Sequence, residues 1–295
     1  MPDPFPSCFG EYAVQVADIS GTANRTAQNL VTCVYQTKFS SRCRLITITW
    51  CKNLVGQEFT VNVDDTSAQS MCKVDLKPWY YWKKQGFKNL DVGGKKIEVF
   101  WDMTAAKYTN GPEPQEGFYL AIVSHGEIVL LLGDMVKEAF KRTQAKPPSI
   151  EPLLLSRKEH VFGKRYYTTK AQFAETGRTH DIMIECHTGG SREPRLCIRV
   201  DKQLVVLVKR LMWKFRGNQT ILVDGLLVEL FWDVHDWLFN ANMGNAVFMF
   251  QTYFPVDSES WVNCEHESMV SHSLKNRESK GIAGFSLLLY AWRSQ

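Results

Sequence analysis

A stretch of 21 residues occurs twice in this chain. Residues 82 to 102 read WKKQGFKNLDVGGKKIEVFWD and residues 213 to 233 read WKFRGNQTILVDGLLVELFWD, offset by 131 without a gap. Nine positions are identical: Trp82/Trp213, Lys83/Lys214, Gly86/Gly217, Val92/Val223, Gly94/Gly225, Glu98/Glu229, Phe100/Phe231, Trp101/Trp232 and Asp102/Asp233. A repeat of this kind bounds the architecture, because both copies must suit one backbone conformation. Gly93-Gly94 and Asp224-Gly225 stand between alternating apolar runs, where the positive φ angles of a two-residue hairpin turn are needed. After each turn Ile97, Val99 and Trp101, or Val228, Leu230 and Trp232, fall on one face, and the tryptophans of the repeat are assigned to the core. Glu98 and Asp102 share the other face, but four residues along a strand put them about 13 Å apart, too far for shared acid–base work. An outward glutamate and an aspartate that caps the following turn are expected instead.

The rest of the chain carries the same signature. NLVTCVYQTKF, CRLITITWC and EFTVNV are rich in Val, Ile, Thr and aromatic residues between polar turns. FYLAIVS and EIVLLLG read as two strands joined at His125-Gly126. DMVKEAFKR predicts one short helix with Asp134 as its N-cap and basic residues in the last turn. The Pro-rich TQAKPPSIEP after it reads as a linker. Beyond it Tyr167-Thr-Thr-Lys170 echoes Tyr35-Gln-Thr-Lys38, IMIEC ending at Cys186 echoes ITITWC ending at Cys51, and Val200-Asp201 echoes Val63-Asp64. The expected fold is mainly β: two related antiparallel sandwich or barrel-like units from an internal duplication, with one short linker helix. Their expected spans are 29–134 and 166–295, with a disordered tail at 1–28, helix and linker at 135–165 and a loop insertion at 255–280.

Composition removes several function classes. Hydrophobic residues at 44% and charged residues at 22% describe a globular chain, and a formal net charge of +4 does not by itself imply nucleic acid. No run is long enough for a transmembrane segment, and MPDPFPSCFG lacks the pattern of a secretory signal, so a cytoplasmic or nuclear location is expected. The 8 cysteines form no Cys-x-x-Cys pair and are expected to be reduced. Cys264, His266 and His272 lack the paired spacing of a zinc site, and Asp64, Asp65, Asp75 and Asp91 have only Asp201 as a matching residue in the second half. No motif for a catalytic residue, metal or cofactor occurs. The binding candidates are Trp82, Lys83, Lys84, Lys95 and Lys96, where rings and cations interleave as they do in surfaces that hold sugars, single-stranded nucleic acid or anionic lipid. In the second half this pattern thins to RLMWKFRG. Lysines on an exposed edge also serve simply to keep strands from pairing between molecules.

NLVTCVYQTKF, ITITWCKNLVGQEFTVNVDD, EVFWDMTAAKY, LLSRKEHVFGKRYYTTKAQF, HDIMIEC, VDGLLVELFWDVHDW and GFSLLLYAWRSQ together resemble a plant family catalogued as domain of unknown function 868. The resemblance spans nearly the whole chain. It implies a plant source and assigns no activity, cofactor, partner or site residue. The expected role is a non-enzymatic binding or scaffold module for a protein or anionic ligand. The alternatives are a hydrolase or transferase with its site at the seam between the halves, and a peripheral anionic-lipid binder using residues 83 to 96.

Overall fold

The computed structural model describes residues 29–39, 42–53, 56–65, 68–76, 84–109, 111–163, 165–174, 177–187, 193–240, 244–254 and 282–293. The expected tail 1–28, the insertion 255–280, Trp82, Lys83 and the Cys264 to His272 group lie outside the described residues.

The first half opens with an antiparallel meander of β1 (Asn29–Phe39), β2 (Arg42–Asn53), β3 (Gly56–Asp65) and β4 (Ala68–Leu76). A second meander follows, built from β5 (Gln85–Val92) and β6 (Lys95–Asp102). The short pair β7 (Lys107–Tyr108) and β8 (Pro114–Glu116) interrupts it, and β9 (Tyr119–Ser124) and β10 (Glu127–Gly133) complete it. The two meanders face each other. Inward side chains of β1 to β3, among them Ile46, Ile48, Trp50 and Phe59, pack against Val92, Ile97, Val99 and Trp101 from the β5–β6 hairpin and Leu120 and Ile122 of β9. Helix α1 (Val136–Thr143) covers the outer face of the second meander, setting Ala139 against Tyr119 and Ala121.

The second half contains two further meanders. β12 (Tyr166–Gln172), β13 (Thr179–His187), β14 (Arg195–Val200) and β15 (Gln203–Val208) form one meander. β16 (Arg216–Val223) and β17 (Leu226–Asp233) begin the other. After the five-residue helix α2 (His235–Phe239) come β18 (Asn245–Phe254) and β19 (Ile282–Arg293). Ile182, Ile184, Leu196 and Ile198 from the first of these sheets pack against Val228, Leu230, Trp232, Phe248 and Leu289 from the other. The expectation of a mainly β chain with several sheets therefore holds.

Between the halves lies β11 (Leu153–Gly163), on residues that read as linker. It pairs antiparallel with β1 and parallel with β19, joining the meanders into one nine-stranded sheet, β16-β17-β18-β19-β11-β1-β2-β3-β4. The register sets Cys33, Arg157 and Leu287 side by side on one face. Cys33 belongs to the first core and Leu287 to the second, so the four-stranded sheets β10-β9-β6-β5 and β12-β13-β14-β15 cover the same face of the large sheet.

Three further expectations are corrected. Asp134 does not cap α1: Met135 holds that position without a side-chain bond, while the Asp134 carboxylate accepts the N–H groups of Gly117 (2.7 Å) and Phe118 (3.1 Å). The echo between ITITWC and IMIEC is one residue out of phase. Ile46 lies opposite Val63 as Ile182 lies opposite Val200, an offset of 136 between β2 and β13 and of 137 between β3 and β14, so Cys186 takes the inward place of Trp50 rather than the outward place of Cys51. A one-residue slip in a strand exchanges its faces, so the core fixes this choice. Finally, the cysteines are not all reduced: Cys43 is disulfide-bonded, to a partner outside the described side chains, while Cys33, Cys51, Cys186 and Cys197 form no disulfide.

Candidate functional site

The two hairpins of the repeat have the same register, Gly86 opposite Trp101 and Gly217 opposite Trp232. Gly93 and Gly94 have φ of 59° and 76°, and Asp224 and Gly225 have 48° and 82°, the positive pair that this turn requires. Gly86 and Gly217 answer a different need. A Cβ built on either would stand 2.7 Å or 2.4 Å from Cζ2 of the indole opposite, so each ring lies directly over a bare backbone. Both aspartates cap as expected: Asp102 accepts the N–H and hydroxyl of Thr104 (2.9 and 2.6 Å), and Asp233 accepts the N–H of His235 (2.9 Å).

Of the five binding candidates, Trp82 and Lys83 lie outside the described residues. Lys84 is half-buried at the start of β5, its carbonyl accepting the N–H of Met103. Lys95 and Lys96 follow the turn at the far end of that strand, about 26 Å away at the rise of an extended chain. Lys96 forms an ion pair with Glu98 at 2.7 Å. The strand separates these cations, so they form no single cluster.

The seam over β11 holds a closed polar group. Arg157 pairs with Glu113 (2.7 Å) and Glu159 (2.5 Å) and donates to the Cys33 sulfur (3.4 Å), while Glu159 also accepts the hydroxyl of Thr169. Burial works against the Arg157 charge, but Glu113, Cys33 and Glu159 outweigh it and hold the guanidinium above its usual pKa. Burial pushes the Cys33 thiol up to about 11 and the Cys186 thiol up to about 12. Thiols held there are protonated at neutral pH and are poor nucleophiles. The seam's charges are spent on one another, binding elements of both halves to the strand between them.

A second group closes one end of the second half. His180, almost fully buried, faces Asp201 (Nδ1 to Oδ2 2.8 Å) and Asp224 (Nε2 to Oδ2 3.4 Å), and Arg178 donates to Asp224 from Nε and Nη2. The His180 hydrogen bond holds the Asp201 carboxyl below the usual range, and that of Arg178 does the same for Asp224. This group ties the β16–β17 turn to the sheet facing it.

The opposite end is built to present side chains outward. Val208 ends β15, and the chain turns at Arg210, whose φ is 55° and whose carbonyl accepts the N–H groups of Trp213 (2.9 Å) and Lys214 (3.2 Å). Leu211 is fully buried and donates its N–H to the Pro194 carbonyl (3.2 Å), pinning the loop. Trp232 fixes the far side from within, its indole N–H donating to the Lys214 carbonyl (3.1 Å). Between these anchors Met212 is 42% exposed and Trp213 is 86% exposed, a correction to the core assignment of the repeat's tryptophans. Phe215 packs on the core and meets Phe239 edge-on at 5.6 Å, and Phe239 is itself 47% exposed.

Cations surround this apolar tip. Lys209, Arg210 and Lys214 are exposed, and among the described residues no acidic side chain pairs with them. Leu196 lies opposite Val208 at the end of the ladder, and the exposed Arg195 and Lys209 are the adjoining residues of the two chain segments. Arg216 differs: it lies over the Phe215 ring and donates to Asp233 at 2.8 Å. Sequence reasoning missed Trp213 because its twin position and its apolar neighbours suggested a strand. The signal was the cations on both sides, Lys209-Arg210 and Lys214, which alternation toward a core does not accommodate. Among the described residues no group of three or more His, Cys, Asp or Glu side chains could hold a metal ion, and no helix is long and apolar enough to cross a membrane.

A family model described as plant protein of unknown function, DUF868, matches residues 26–293. Neither the curated proteins nor the solved structures give a match.

Proposed function

We propose that the chain, which belongs to the plant family DUF868 of unknown function, is a non-enzymatic binding module that meets an anionic partner through the end of its second half. The observation that carries this reading is Trp213, 86% exposed on a loop that a fully buried Leu211 holds in place. An exposed indole costs solubility, and a pinned loop keeps it exposed, so a partner that covers it gives the arrangement its use. Exposed Lys209, Arg210 and Lys214 around it give that partner its sign. The two halves are read as products of an internal duplication, with the second copy carrying the binding loop. A cytoplasmic or nuclear location fits the proposal.

The test is retention of the full chain on immobilised heparin as a function of salt. The wild type should elute later than the triple variant Lys209→Glu, Arg210→Glu, Lys214→Glu, and replacing three contacting cations should lower the slope of log affinity against log salt by about 2 to 3. Co-elution of the two proteins would overturn the proposal.

A further inference from the structure

Resting on that reading, we infer that the anionic partner is a membrane surface, with Trp213 and Met212 entering the interface while Lys209, Arg210, Lys214 and Arg195 engage lipid phosphates. The shape of the site favours this over the other polyanion open to it. Single-stranded nucleic acid is held by several rings spaced as stacking platforms along a basic groove. Here, among the described residues, one indole stands on the loop tip beside the flexible aliphatic Met212, and the exposed ring of Phe239 beyond the β17 end is engaged edge-on by Phe215. A lone tryptophan beside an aliphatic side chain suits the headgroup level of a bilayer, where an amphipathic ring keeps its N–H in the polar layer and its body in the acyl boundary.

The cations are placed for the same geometry. Arg210 and Lys214 flank the wedge on the loop itself, and Lys209 with its neighbour Arg195 continues the charge onto the end of the covering sheet. Long basic side chains around a shallow apolar tip lie level with phosphates when the tip enters. Each cation near an anionic leaflet is worth about fivefold in affinity, so three of them supply roughly a hundredfold, enough for reversible attachment and too little for permanent anchoring. The loop is already fixed by Arg210, Leu211 and the Trp232 indole, so little ordering opposes binding. It joins the end of β15 to the start of β16, so its side chains lie outside both strands.

The test is co-sedimentation of the full chain with vesicles of phosphatidylcholine alone or with about one third phosphatidylserine, at low and at physiological salt. Binding is expected to the anionic vesicles only, reduced at least about tenfold in Trp213→Ala and roughly a hundredfold in the Lys209→Glu, Arg210→Glu, Lys214→Glu variant. Bromine-labelled acyl chains should quench wild-type tryptophan emission on binding, and the quenching should be lost in Trp213→Phe. Because Trp213 is 86% exposed, both tryptophan variants should keep the wild-type melting temperature. Equal binding to neutral vesicles, binding untouched by Trp213→Ala, or bound protein without quenching would each overturn the inference. Retention on heparin, or capture of a single-stranded RNA oligonucleotide, without binding to anionic vesicles would overturn it while leaving the binding-module reading in place. Failure on heparin and vesicles alike would overturn both.

Discussion

The hairpins β5–β6 and β16–β17 share their turn, register and capping aspartate, and differ most in the exposed residues beside the turn. Both turn on two positive φ angles, both lay an indole over a glycine, and both use the same aspartate to cap the chain that follows. Outside, Asp91 and Lys96 stand opposite each other in the first hairpin, where Leu222 and Leu227 stand, 65% and 64% exposed, in the second. The inner face is set by the neighbouring sheet, which tolerates few solutions. The outer face has no such constraint, so it is where the two hairpins are free to differ.

The severest way to break this comparison is to remove the indoles. Trp101→Ala and Trp232→Ala should each cost about 3–5 kcal/mol in denaturant unfolding, since both leave a large void in a core. A loss near zero at either would mean that the two rings do not play the same part. Next come the glycines beneath them. Gly217→Ala and Gly86→Ala should each destabilise by about 1–3 kcal/mol through overpacking, with Gly217→Ala the worse because its added carbon meets the ring at 2.4 Å rather than 2.7 Å. The reverse order in paired melts would show that the second hairpin yields more readily. The smallest effect should come from transplanting the outer pair, Leu222→Asp with Leu227→Lys. That exchange should change stability by less than about 0.5 kcal/mol. A loss beyond about 1.5 kcal/mol would show that these leucines are covered in the native protein.

What could be read from the sequence follows the same division. The hairpins were legible because glycine, alternating apolar residues and aspartate each impose a local geometry. Strand β11 was not. Its faces carry Arg157 and Glu159 on one side and Lys158 and His160 on the other, so neither looks apolar. The charges are there because this strand runs under the seam between two covering sheets, where Arg157 and Glu159 neutralise each other together with Glu113. Asp134 misled for a related reason: a helix cap is a local rule, and the backbone N–H groups of Gly117 and Phe118 compete for the same carboxylate. Trp213 was hidden by its own repeat, because a tryptophan matched to another at offset 131 suggested one environment for all. The cations that mark it as exposed were visible, but their meaning depends on where the strand ends.

The parallel pairing of β11 with β19 has a consequence for the order in which the protein is made. All described strands of the first half, and β11 itself, are synthesised before β19. Until then one edge of β11 has hydrogen-bonding groups and no neighbour, in a sheet that already has β1 on its other side. An unpaired edge of that kind invites another chain. The nascent protein therefore has an interval, as long as the synthesis of some 120 residues, in which a chaperone or a second molecule competes with β19 for the same edge.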